Sequence, residues 1–384
     1  NPAASEGGRV LGGNPMKGTR SIMSPVSGVI AVNHPCSQKI LLCGYYGEHN
    51  LGDDALLQVL LEALPAGLSL RITARDPEPV RALQPDALIV NRRSISACLK
   101  QAYQADAVIF GGGSLLQDST SVKSLIYYLL LIAVTRLGGG RVLLWGQGLG
   151  PLRRAISRWA VRSVLPLCAS ASWREQTSYD LARRWAPAVP MCIAPDPVWQ
   201  LPRRQWRGGG AIVLSWRPTP LLDDQGWCTL LSALDRLSFE VQAPVIWLAF
   251  HADQDGPLSD TLWERGLMSS RLRHCSNTQI VTSLQTVFST VDRARLVLPM
   301  RLHALILARL GGCPMAALSY DPKVEAAAAM ADVPCTQLSE LPVVDELVRL
   351  WRSAVDQPAD AESTERIRSR ASAHVTQLMA TLQQ

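Results

Sequence analysis

The stretch KILLCGYYGEHNLGDDALLQVLLEAL, residues 39–64, carries the reading of the fold. Ile40–Cys43 is a short unbroken apolar run, the pattern of a strand covered on both faces. The polar loop Gly44–Asp54 follows, and from Asp54 to Leu64 the apolar residues recur at helical spacing. Gly47 and Gly52 permit a tight backbone approach, while Asp53 or Asp54 suits the cap of the helix.

The same unit repeats outward. Strands are expected at Ser69–Thr73, Ala87–Val90, Ala107–Phe110, Val142–Trp145 and Ala169–Trp173. Helices are expected at Leu115–Leu137 and Ala155–Leu165. Pro187–Gly210 breaks the rhythm with five prolines and a run of three glycines, the texture of a linker. The alternation then resumes, with strands at Ile212–Trp216, Val245–Phe250, Leu296–Leu298 and Met315–Ala317. Helices follow at Trp227–Leu237, Leu302–Leu310 and Val324–Met330, and a last helical segment runs from Ala361 to about Leu382. This predicts an α/β protein of two facing doubly wound (Rossmann-like) domains with a cleft between them. The expected division is a mobile tail over 1–38, an N-terminal domain over 39–190, a linker over 191–210, a C-terminal domain over 211–356 and a closing helix over 357–384.

Composition agrees with a packed protein. Of 384 residues, 47 % are hydrophobic and only 18 % charged, which excludes a disordered chain. The net charge of +6, without a basic tract interleaved with aromatics, does not point to nucleic acid. Nine scattered cysteines without a C-x-x-C pair read as reduced core thiols of a cytoplasmic protein. The longest apolar run, Leu125–Val134, is too short to span a bilayer, PVSGVIAV near residue 25 is not expected to act as a secretory signal, and Met16 or Met23 fits a natural start. The basic residues comprise 33 Arg and 5 Lys, and only Lys323 lies beyond residue 123 among the lysines.

Ligands in open α/β sheets sit at the carboxyl ends of strands. Three exits there are rich in glycine: Gly44–Asp54, FGGGSLLQD at Phe110–Asp118, read as a strand leading through glycines into a helix start, and WGQGLGP at Trp145–Pro151. Arg174, in WREQTS at Trp173–Ser178, sits where a strand gives way to a helix. Arg301 and His303 open a helix after Leu296–Leu298, and Lys323 opens the next one, so the three should converge at one sheet edge. Arg, His and Lys around helix N-termini suit a multiply charged anion. No H-E-x-x-H, metal-spaced cluster or G-x-S-x-G elbow is present.

GYYGEHNLGDDALL, FGGGSLLQD, GQGLGP, WREQTS, DPVW at Asp196–Trp199, RLHALILA and SYDPKV, in this order, resemble the polysaccharide pyruvyl transferase family, enzymes that place pyruvate ketals on cell-envelope sugars. The resemblance spans Ile40 to Met330. Glu175 stands where the family has Asp, and Ala249-Phe250-His251 replaces a Pro-Phe-Gln signature, which leaves the role of Asp255 open. It implies a GT-B-like fold, phosphoenolpyruvate as donor, a saccharide acceptor, free or lipid-linked, no cofactor or metal, and work in the cytoplasm, including the inner face of the membrane. Arg174, Arg301, Leu302, His303 and Lys323 would bind the donor, and His303, Arg174, Lys323 and Asp53 form the expected catalytic set. The acceptor is expected on Tyr45, Asn50, Asp53, Asp54, Gly112, Gly113 and Ser114, with Asp53 or Asp54 as base. The alternative is a glycosyltransferase of the same fold using a nucleotide sugar; a non-catalytic scaffold is the rival from another class.

Overall fold

The computed structural model describes residues 37–119 and 121–383, so the expected N-terminal tail lies almost entirely outside the described residues. Seven parallel strands form the first sheet: β1 (Lys39–Cys43), β2 (Ser69–Ala74), β3 (Leu88–Asn91), β4 (Ala107–Leu116), β5 (Arg141–Leu149), β6 (Ser170–Trp173) and β7 (Met191–Ile193). Their order is β3-β2-β1-β4-β5-β6-β7. The chain winds one way from β1 to β3 and the other way from β4 to β7. Right-handed crossovers therefore place α1 (Leu51–Ala63) and α2 (Pro77–Leu83) on one face. On the other face lie α3 (Ile95–Tyr103), α4 (Val122–Leu137), α5 (Ala155–Val164) and α6 (Gln176–Trp185), packed over the buried residues Val108, Phe110, Val142 and Leu144.

The second sheet contains β8 (Ile212–Ser215), β9 (Val245–Ala249), β10 (Ser276–Ile280) and β11 (Leu296–Pro299) in the order β10-β9-β8-β11, again all parallel. A parallel bridge between Val297 and Met315 leads on to the pair β12 (Ala317–Ser319) and β13 (Cys335–Gln337). The direction of winding reverses between β8 and β11, as it does between β1 and β4 in the first sheet. A crevice opens at each reversal, because the connections leaving its two strands diverge to opposite sides.

Several expectations need correction. The glycines of Phe110–Asp118 do not lead into a helix. They are part of β4, which stays paired with β5 through Gly113–Gln147 and Leu116–Leu149, and α4 starts only after its cap, Ser121. Gln147 explains this: its buried amide donates to the carbonyls of Phe110 and Gly112, at 3.1 and 2.7 Å, and so replaces lost ladder bonds. The presumed linker 191–210 is also tied down. It contributes β7, and Trp206 Nε1 donates to the Ala294 carbonyl at 2.7 Å. The closing segment is two helices, Ala361–Ala371 and Ala373–Leu382, which return to the first sheet, where Arg141 donates to the Thr381 carbonyl at 2.6 Å.

His374 anchors this return. It is fully buried, and its Nε2–H donates to the Pro195 carbonyl at 2.8 Å. Burial pushes its pKa down to about 4. The neutral ring is therefore the folded form, while the unfolded chain takes up a proton near pH 6.5. Stability from this group is complete above pH 6.5 and is lost as pH falls towards 4, by about 1.4 kcal/mol per pH unit. Urea unfolding at stepped pH should show this slope in the parent, and His374→Gln should flatten it by one proton.

Candidate active site

A cavity of about 580 Å³ lies between the two reversals. The first sheet and its helices contribute Tyr45, Asn50, Asp53, Gly113, Ser114 and Arg174. The second half contributes Arg217 from the β8 exit, Arg301, Leu302 and His303 from the β11 exit, and Tyr320 and Lys323 from the β12 exit. The residues expected at the donor side thus line one space with most of those expected at the acceptor side.

Arg301 caps the helix Leu302–Leu310, and His303 sits in its first turn. Asp255 is almost fully buried and accepts from Arg301 Nε at 2.7 Å and Nη2 at 2.5 Å. It also accepts from the His251 amide at 3.0 Å. The part played by Asp255, open from the sequence, is to fix the Arg301 fork while leaving the remaining N–H groups towards the cavity. Phe250 and His251 also join the halves of the chain: Leu51 N donates to the Phe250 carbonyl at 3.1 Å, and Asn50 bridges His251.

Arg174 is buried, and its Nη1 donates to Asp196 at 2.6 Å. The same Asp196 oxygen lies 3.5 Å from His303 Nε2. Burial opposes ionisation of Asp196, but the imidazole and guanidinium beside it hold its carboxyl well below the usual carboxylate range. Lys323 Nζ donates to Ser114 Oγ at 3.0 Å and lies 3.6 Å from Glu175. Ser114 is also 3.4 Å from Arg174 Nη2. Arg174 Nε, Glu175 Oε1 and His303 Nε2 are buried without a hydrogen-bond partner among the described residues. Unpaired polar atoms carry a desolvation cost that a polar ligand relieves.

Asp53 reaches the cavity from the first turn of α1 and accepts from the Asn50 amide. Burial raises its pKa to about 6, against the pull of His303 and Arg174. Asn50 also caps α1 by accepting from Gly52 N at 3.3 Å, so its side chain is committed to local structure. Asp54 is a different matter. It faces a separate cavity of about 410 Å³ with Glu62 and Phe288, and burial followed by the Asp53 charge raises its pKa to about 7. Neighbours on a helix point about 100° apart, so adjacent carboxylates cannot share one crevice wall. Gly112, expected to meet the acceptor, sits over Leu56 instead, while Gly113 at φ +80° borders the cavity near Asp53.

Arg217, Asp196, His251 and Tyr320 were not among the expected site residues. Arg217 stacks on the Tyr320 ring at 4.9 Å and donates to its hydroxyl at 3.1 Å. Its place directly beyond the strand Ile212–Trp216 was the available signal. For Asp196, the signal was the DPVW segment itself.

Solved structures similar to this chain share its architecture. A UDP-GlcNAc 2-epimerase from Neisseria meningitidis bound to UDP-GlcNAc aligns at TM-score 0.56 and 13 % identity, covering 89 % of this chain and 100 % of that one. An Anabaena protein in complex with UDP and glucose gives 0.54 and 12 %, with 88 % and 95 % covered. The kitacinnamycin glycotransferase gives 0.54 and 12 %, with 90 % and 98 % covered. No curated protein sequence matches the chain. Two parallel α/β sheets meeting across a cationic crevice define a transferase of the GT-B fold. The sequence profile of the polysaccharide pyruvyl transferase family matches residues 50–322, and the chain belongs to that family.

Gly52 allows a sharp test of the geometry. A Cβ there would overlap His303 Nδ1. Alanine favours helix over glycine by about 1 kcal/mol, so secondary structure should survive the change. Gly52→Ala should leave the circular dichroism spectrum intact yet lower kcat about 100-fold by displacing the imidazole.

Proposed function

We propose that the chain transfers a pyruvyl group from phosphoenolpyruvate to two hydroxyls of one saccharide, a cell-envelope or exopolysaccharide precursor, forming a ketal and releasing phosphate. The observation that carries this reading is the convergence of Arg174, Arg301, His303 and Lys323 with Asp53 on one cavity. A small ligand bearing both phosphate and carboxylate matches four nitrogen-bearing groups better than a neutral sugar does.

The chemistry assigns roles. The enol carbon takes up a proton, which leaves a cationic centre at the neighbouring carbon. One sugar hydroxyl attacks that centre, the carbon–oxygen bond to phosphate breaks, and a second hydroxyl closes the ring. Of the two hydroxyl protons, one balances that taken by the enol carbon and the other leaves with phosphate. Arg174, Arg301 and Lys323 absorb charge on the departing phosphate, and His303 donates to it. Asp53, across the cavity, is the base for the attacking hydroxyl. Asp54, which lines the other cavity, takes no part in this reading.

A second reading, transfer from a nucleotide sugar, is favoured by fold neighbours solved with UDP or UDP-GlcNAc. Thermal shift separates the two. Phosphoenolpyruvate at 100 times its Kd should stabilise the protein by about 2.7 kcal/mol, and Lys323→Ala should abolish the shift. A shift with uridine or guanosine diphosphate alone would overturn the proposal.

The pH profile tests Asp53. A base works as its carboxylate, which forms as pH rises through about 6. Activity should therefore climb through that value, and Asp53→Asn should remove the limb and lower the rate by about 100-fold or more.

A further inference from the structure

Between Asp118 and Glu175 the sequence has 56 residues without a single carboxylate. They hold eight basic residues, a charge of +8 in a chain whose total is +6, so the rest of the molecule is net acidic at −2. Two of the eight are occupied inside the fold: Arg174 in the cavity and Arg141 on the C-terminal helix. The other six, Lys123, Arg136, Arg153, Arg154, Arg158 and Arg162, are exposed. None of these six makes an ion pair among the described residues, whereas Arg236, Arg265, Arg271 and Arg273 in the second half all do.

Large apolar side chains share this surface. Trp159 and Ile156 on α5 are 66 % and 64 % exposed. Ile126, Leu130 and Leu137 on α4 are exposed as well, at spacings that put them on one stripe. α4 and α5 pack side by side in the helical layer that lies opposite α1 and α2, so their outward stripes form one face. Arg158 and Arg162 recur four residues apart on the exposed side of α5, where Trp159 lies between Arg162 and Ile156. Unpaired arginines around exposed tryptophan and aliphatic residues make up the two-part surface that lies in a lipid headgroup region.

We propose that the outer face of α4 and α5 docks this protein on an anionic lipid bilayer. Charge complementarity selects this occupant. A second copy would bring arginines against arginines with no carboxylate to separate them. The face also adjoins the active-site cavity: Ser121, Ser124 and Tyr128, from the start of α4, line that cavity, and the exposed stripe begins between them at Lys123. Docking there holds the crevice mouth beside the membrane surface, within reach of a lipid-borne saccharide. No helix among the described residues is long and apolar enough to cross a membrane, so the contact is peripheral. The inference does not depend on the identity of the donor.

Co-sedimentation of the full chain with vesicles tests it. Vesicles of mixed phosphatidylglycerol and phosphatidylcholine should bind the protein at an ionic strength of about 0.1 M, and phosphatidylcholine vesicles should not. Arg158→Ala with Arg162→Ala should weaken binding about 25-fold, at roughly fivefold per charge. Trp159→Ser should weaken it about tenfold. These positions are exposed, so the variants should melt with the parent, which separates lost docking from lost folding. Equal binding to both vesicle types, or parental binding by the variants, would sink the proposal. So would displacement by millimolar inorganic phosphate, which marks an anion site only, or a parent dimer that the variants convert to monomer.

Discussion

The site depends on one buried carboxylate. Asp196 lies in the segment joining the first sheet to the second, and it is the one acidic residue between Ile193 and Ile212. It takes a hydrogen bond from Arg174, which leaves β6, and faces His303, which comes from the far sheet. It also caps the short helical turn after it, accepting from Val198 N at 3.0 Å. A carboxylate buried this deeply is tolerated only when its charge and its lone pairs are both answered. The carbonyl just before it, at Pro195, is held by the fully buried His374. The C-terminal helix therefore reaches the chemistry without touching the cavity, through two adjacent residues of one strap.

Within the first half, β4 and α1 approach closely because β4 gives up side chains where they meet. Gly111 and Gly112 sit where any Cβ would run into Tyr46 or Leu56, so β4 lies close against α1. That closeness brings Asp53 and Ser114 to the same crevice wall. From the other side Lys323 spans the gap to Ser114 by a single hydrogen bond. This is the one lysine beyond residue 123, in a region that otherwise uses arginine. A compact ammonium on a flexible stem can move from a serine hydroxyl to a ligand oxygen; a guanidinium fixed by a carboxylate fork cannot do so as freely.

The sheets were legible because parallel strands buried on both faces write themselves as apolar runs, and Ile40–Cys43 and Leu296–Leu298 fall inside observed strands. β7, β10 and β13 escaped notice for the same reason: SNTQI at Ser276–Ile280 is an edge strand with polar residues, and β7 and β13 have three residues each. The helix start expected after Gly113 failed because the interaction that keeps β4 extended comes from Gln147, which lies outside the local sequence. Local patterning placed Arg301, His303 and Lys323 correctly at helix starts. It could not separate Asp53 from Asp54, since their difference is a matter of which way the helix is rotated against the second sheet. The partners of Asp196 and Asp255 were hidden by a general property of buried pairs. Nothing in the sequence near an acid says which distant arginine it will answer.

Those pairings change how the cationic cavity works. Arg301 stands against Asp255, Arg174 against Asp196, and Lys323 near Glu175. An open cluster of unpaired cations would repel itself and would bind any anion that entered. With a carboxylate behind each of these three cations, net charge contributes less to selection, and the direction of the N–H groups left over contributes more. Arg174 Nε and His303 Nε2 are held more loosely, each 3.5 Å from a carboxylate oxygen, of Glu175 and Asp196, and short of a hydrogen bond. On the proposed reading, a ligand that places acceptors at the remaining N–H groups of these cations recovers the cost of drying the crevice. That requirement favours a small rigid dianion over a flexible pyrophosphate, because fewer internal rotations are frozen on binding.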